Sequence, residues 1–146
     1  MKSMMVAFLT VAFLAFGCGG GLERKADAEI EQVVKDFHAA FDAKDISRLS
    51  KLCSGDMQWY TLNGKAISRD LLGGFFRPMF NLWGGVTTRL QELSVVRSGP
   101  LAVARYKSEL HIQVQDRESV LHSLQTTVLI KEHGEWLVWQ HHMSIE

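Results

Sequence analysis

Residues 126–144 read TTVLIKEHGEWLVWQHHMS, two runs of apolar, β-branched and aromatic residues on either side of His133-Gly134. A pair of that kind between such runs predicts a tight β-hairpin. The same pattern continues upstream to Val86, broken at Ser98-Gly99-Pro100 and at Asp116-Arg117. Four long strands are therefore expected, over about 86–97, 100–115, 118–132 and 135–145. Connections this short leave no room for crossover helices, so the strands form a meander in a mainly antiparallel sheet.

Helices precede the sheet. From Leu22 to Lys44 the apolar residues Ile30, Val33, Val34, Phe37, Ala40 and Phe41 recur at three and four, which predicts a long amphipathic helix. Asp45 stands in a capping position for a short second helix carrying Ile46, Leu49, Leu52 and Cys53, with Gly55 as its end. Asp56 to Leu62 reads as a strand holding Trp59 and Tyr60, closed by an Asn63-Gly64 turn. Ser68 can cap a third helix bearing Leu71, Leu72, Phe75, Phe76, Met79 and Phe80, although Gly73-Gly74 and Pro78 oppose it.

The chain has 146 residues, with 16 basic and 16 acidic side chains. This length fits one domain with a real core, over about residues 25–146. The even charge balance provides no uniform field for nucleic acid or an acidic membrane surface.

Residues 1–17 carry Lys2 and an apolar run from Met4 to Phe16, too short to span a bilayer and suited to an export signal. Leu14-Ala15-Phe16-Gly17-Cys18 resembles a bacterial lipobox, which implies cleavage before Cys18, lipidation of Cys18 and a glycine-rich tether over 18–24. The expected location is the cell envelope, as a lipoprotein on the periplasmic side of a membrane; the alternative is a soluble periplasmic or secreted protein. Cys53, without a partner once Cys18 is modified, is expected to be a buried thiol.

Alternation assigns Trp136, Val138, Gln140, His142 and Ser144 to one face of the last strand, inward, and Leu137, Trp139, His141, Met143 and Ile145 to the other. Leu137, Trp139 and Met143 on an outer face call for a cover, for which the simplest candidate is a second copy of the chain. Ala104, Tyr106, Ser108, Leu110 and Ile112 belong inside, and His122, Leu124, Thr126, Val128 and Ile130 are expected beside them. The resulting cavity is hydrophobic, with Tyr106, His122, Gln140 and His142 as polar points.

The order of elements, the opening Val34–Asp45, and the ending with its Gly134-x-Trp136 and His142-x-Ser144 resemble the nuclear-transport-factor-2-like, or SnoaL-like, superfamily, in a branch of unknown function. The resemblance implies an α+β, cone-like fold related to the cystatins. Three N-terminal helices would lie on the concave face of the sheet, with a pocket between, commonly in a dimer. It also implies comparison with the steroid isomerases of that superfamily. Their tyrosine falls at Phe37 and their aspartate near Thr61, neither of which can serve in that chemistry at neutral pH.

The expected pocket residues are thus Phe37, Phe41, Trp59, Thr61, Phe76, Tyr106, His122, Gln140 and His142. His142 is the candidate acid or base, set against the plainer role of ordering its strand. His141 and His142 point to opposite faces and cannot share an ion, and no metal or other cofactor is implied. Two functions stand side by side. One is a dimeric, anchored accessory or binding domain for a small apolar ligand, without turnover; the other is an isomerase, cyclase or dehydratase acting on a hydrophobic carbonyl compound through His142.

Overall fold

The computed structural model describes residues 20–146, with side chains from Asp27 onward. The expected export signal and Cys18 lie outside the described residues. Helix α1 spans Gly20–Asp42, taking in residues that the sequence reading gives to the tether, and α2 spans Ile46–Lys51. Strands β1 (Cys53–Tyr60) and β2 (Ala66–Ser68) precede a single 3-10 turn and helix α3 (Leu72–Leu82). The long strands are β3 (Gly85–Ser98), β4 (Leu101–Val114), β5 (Arg117–Glu132) and β6 (Glu135–Ile145).

All six strands form one sheet in the order β2-β1-β6-β5-β4-β3. The meander is antiparallel, and β1 joins it parallel to β6, which its approach through the helices permits. The buried stripe of α1, Ile30, Val34, Phe37, Ala40 and Phe41, packs on the sheet. Asp42 fixes its end, accepting from Thr88 N at 2.8 Å and Thr88 Oγ1 at 2.7 Å. Lys44 then takes the left-handed conformation (φ 56°) that turns the chain out of the helix. Asp45 caps α2 as expected, its Oδ1 accepting from Arg48 N at 2.9 Å.

Several local expectations change. The second helix stops before Cys53, and Cys53 and Gly55 lie in β1, because Val138 N donates to Leu52 O and draws the chain into the sheet. Cys53 is buried, its Sγ donating to Leu49 O at 3.2 Å, and burial pushes the thiol up to about 12. Ser68 precedes the 3-10 turn but makes no side-chain cap bond.

Two changes alter which side chains face the core. The β4–β5 loop has two residues, Gln115 and Asp116, so paired residues have numbers summing to an odd value, as in Tyr106 with Gln125. Ser123, Gln125, Thr127 and Leu129 are consequently buried, not His122, Leu124, Thr126, Val128 and Ile130. In β6 the register shifts: Val138 pairs with Leu129, but Gln140 pairs with Val128. That bulge at Trp139 reverses the alternation beyond it. His141 and Met143 turn to the concave side, and His142 is exposed.

Candidate functional site

Between α1, α3 and the concave sheet lies a cavity of about 410 Å³. Phe41 reaches it because α1 places that residue on its buried stripe, and Trp59 because β1 alternates inward after Met57. Phe75, Phe76 and Met79 come from α3, Trp83 from the turn behind it, and Leu110, Ile112 and Leu121 from the sheet. Thr61, Leu62, Asn63 and Lys65 form the rim at the β1–β2 turn.

Away from the rim, a buried polar set borders the cavity. His38 and His141 border the cavity and are 7% and 1% exposed. His38 Nε2 is 2.8 Å from Tyr106 Oη, Tyr106 Oη is 2.8 Å from Thr127 Oγ1, and Thr127 Oγ1 is 3.0 Å from His141 Nδ1. Four buried side chains from α1, β4, β5 and β6 are therefore strung together.

Burial moves these groups away from their charged forms. It lowers His38 to about 4. It holds His141 well below the ordinary histidine value, with the neighbouring His38 and His142 acting in the same direction. Tyr106 is driven up by burial, partly offset by its bond to Thr127. At neutral pH this buried set is polar but uncharged.

Aromatic packing fixes the rings. Trp59 and His141 have centroids 4.5 Å apart, Phe37 and His141 5.1 Å, and Trp59 and Phe76 4.7 Å. Gln125 adds another polar point, with Nε2 2.6 Å from Ser108 Oγ. Its Oε1 is buried without a hydrogen-bond partner among the described residues, and the residue borders the cavity.

Of the residues expected from sequence, Phe41, Trp59, Thr61 and Phe76 line the cavity. Phe37 and Tyr106 lie behind its wall: Phe37 packs at a tilt against Trp59 and His141, and Tyr106 reaches the site through His38. His122, Gln140 and His142 do not line it. His122 is excluded by the β4–β5 register, and the other two by the bulge in β6. Met143, expected on the outer face, lines the cavity for the same reason. Among the site residues that sequence reading missed are the polar, buried His38, Gln125 and His141, together with Thr88, Leu121 and the rim residues Leu62, Asn63 and Lys65. The signal for His38 was available, since it lies four residues after Val34 on the stripe that α1 buries.

Among the described residues, no group of three or more His, Cys, Asp or Glu side chains is placed to hold a metal ion. The arrangement can bind an apolar body, meet its polar end with uncharged donors and acceptors, and exchange protons there.

Comparison with known proteins follows the same lines. Residues 30–146 match the SnoaL-like domain. A solved structure of a candidate dehydratase of the NTF2-like family from Streptomyces avermitilis is similar over 85% of this chain and 98% of its own, with 15% identity and a TM-score of 0.77. An NTF2-like protein with a cystatin-like fold from Novosphingobium aromaticivorans has 17% identity and a TM-score of 0.73, over 85% of this chain and 84% of its own. The CamKII hub homology domain of Chlamydomonas reinhardtii has 19% identity and a TM-score of 0.71, over 83% and 98% respectively. At these identities the likeness concerns the fold. No curated protein matches the chain.

Proposed function

The chain belongs to the SnoaL-like domain family, and we propose that it serves as an exported, lipid-anchored domain that binds a small, largely apolar molecule. The anchor rests on the lipobox-like Leu14–Cys18, and the observation that carries the binding is the cavity. Its volume of about 410 Å³ falls within the roughly 300–1,000 Å³ of small-molecule sites. Its walls are mainly aromatic and aliphatic, with a few polar points, Thr61, Asn63 and Lys65 at the rim and the buried His38, Gln125 and His141, the usual division between affinity and orientation. Gln125 Oε1 supports a ligand with a hydroxyl or amine to donate, because a buried acceptor left unpaired costs about 1–3 kcal/mol.

Native mass spectrometry of the protein purified gently from its own membrane fraction tests this reading. The expected result is a co-purified small molecule, lost in Phe76→Arg, with a raised melting temperature when it is restored. An empty protein with no thermal shift across a panel of apolar alcohols and phenols would refute it. The anchor is tested by acyl labelling, expected in the wild type and absent in Cys18→Ala.

A second reading, turnover of a hydrophobic carbonyl compound, is favoured by one observation. Two uncharged histidines border the cavity and are joined through hydroxyl groups. The acid or base role considered for His142 then passes to His38 and His141.

A further inference from the structure

Each neutral imidazole carries one N–H, and Tyr106 and Thr127 carry one O–H each. Three contacts of 2.8, 2.8 and 3.0 Å join His38, Tyr106, Thr127 and His141, and each needs one proton between its heavy atoms. The hydroxyls supply two. The third must come from a histidine, either from His38 Nε2 or from His141 Nδ1.

If His38 Nε2 carries it, Tyr106 donates to Thr127 and Thr127 donates to His141 Nδ1. The proton of His141 is then on Nε2, so both rings are Nε2–H tautomers. If His141 Nδ1 carries it, every donor reverses, and both rings are Nδ1–H tautomers. Unlike tautomers would leave one contact with no proton, or one hydroxyl proton with no acceptor in the chain, a penalty of about 1–3 kcal/mol for buried groups.

We propose that these four residues form one proton relay that locks His38 and His141 into the same tautomer, so that the cavity offers a small apolar carbonyl compound a base at one histidine and an acid at the other. The proposal rests on the ligand-binding reading of the cavity and on its second form, turnover of a carbonyl compound, and deepens both by assigning the residues that carry the proton.

The proton balance closes. With both rings Nδ1–H, the lone pair of His141 Nε2 takes a proton from the carbon beside the carbonyl. The electrons of that C–H bond form the carbon–carbon double bond of an enol, and His38 Nδ1–H protonates the carbonyl oxygen. Within the relay the His141 Nδ1 proton passes to Thr127, the Thr127 proton to Tyr106, and the Tyr106 proton to His38 Nε2. Both rings end neutral as Nε2–H tautomers, ready for the reverse transfer. No proton is gained or lost overall, which suits groups whose charged forms burial disfavours.

The test is nitrogen NMR of the processed protein labelled with 15N-histidine, in which the shifts of Nδ1 and Nε2 identify each tautomer. The expected result is like tautomers for His38 and His141 in the wild type and unlike ones in Thr127→Val. In that variant Tyr106 has only His38 left to accept its proton, and His141 reverts to the intrinsically preferred Nε2–H form. Unlike tautomers in the wild type would overturn the relay, as would like tautomers in a folded Thr127→Val. Should the variant not fold, the wild-type spectrum still decides.

2-Naphthol, a planar mimic of an enol, is the probe for the substrate class. It should bind, and shift both histidines together in the wild type. If it binds while the tautomers are unlike, the binding reading survives and the relay falls. If the tautomers are alike but 2-naphthol and other apolar alcohols leave the spectrum unmoved, the lock survives, and the carbonyl substrate and the binding reading both fall.

Discussion

Lys44 Nζ donates to the carbonyl oxygen of Phe80 at 3.0 Å, tying the turn after α1 to the last turn of α3. It donates to the carbonyl of Trp83 as well, and Trp83 lines the cavity. A single ammonium thus satisfies carbonyls at a helix end, where intrahelical donors run out, and fixes one wall of the cavity. Lys44→Met keeps most of the stem and removes both bonds. It is expected to lower stability by about 1–2 kcal/mol and to speed ligand release. Urea unfolding and stopped-flow dissociation check the two effects, and an unchanged urea midpoint would mean that the clamp contributes nothing.

The same kind of local signal explains what could be read from the sequence. The strands from β3 to β6 were legible because Gly99-Pro100 and His133-Gly134 mark turns chemically, and in the structure Gly99, His133 and Gly134 have φ of 57°, 50° and 90°. The faces were less legible. One extra residue in β6, between Val138 and Gln140, exchanges His142 for His141 at the cavity, and nothing in Val138-Trp139-Gln140 announces a bulge. The choice of His122 over Ser123 and Gln125 was avoidable, since a two-residue loop forces odd-numbered residues of β5 to face even-numbered residues of β4. Legibility ended where function depends on parity.

Stability should fall in acid, and in a defined window. His38 is neutral in the fold to about pH 4, whereas its unfolded value is 6.5, and His141 is shifted in the same direction. Between those pH values the unfolded chain binds protons that the folded chain does not, so stability is full above 6.5 and declines as the pH drops. His38 alone accounts for a slope of about 1.4 kcal/mol per pH unit, with His141 adding to it. Urea midpoints at pH 7.5, 6 and 5 measure the slope. His38→Gln should flatten it, and a wild type equally stable at pH 5 and 7.5 would contradict the buried neutral pair.

Helix α3 holds a correctable weakness. Gly74 lies within it, and a Cβ built there meets nothing within 4 Å. The glycine therefore costs helix propensity without a packing return, and Gly74→Ala should raise stability by about 0.5–1 kcal/mol. Thermal or urea unfolding suffices as the measurement. A loss would point to a close partner at that helix face in the assembled protein.

The convex face of the sheet predicts self-association, on the outer face that the sequence suggested, with Leu137 kept in the surface and Met143 removed from it. Met143 belongs to the cavity, but Leu137 pairs with Ile130, Ile130 with Leu101, and Val103 lies between Val96 and Val128. Their neighbours Ala102, Ala104, Leu129 and Val138 face the core, so alternation turns this set outward. Val96 is 72% exposed. Six aliphatic side chains in adjoining register make a patch that a lone domain seldom leaves open to water, and a two-fold dimer would bury it against its own copy. Val103→Glu should then convert dimer to monomer, because two carboxylates near the axis would be desolvated and opposed. Light scattering at micromolar concentration reads the outcome. Ligand binding by the monomeric variant would place the cavity's function within one chain, whereas its loss together with the dimer would make the concave site depend on the convex contact.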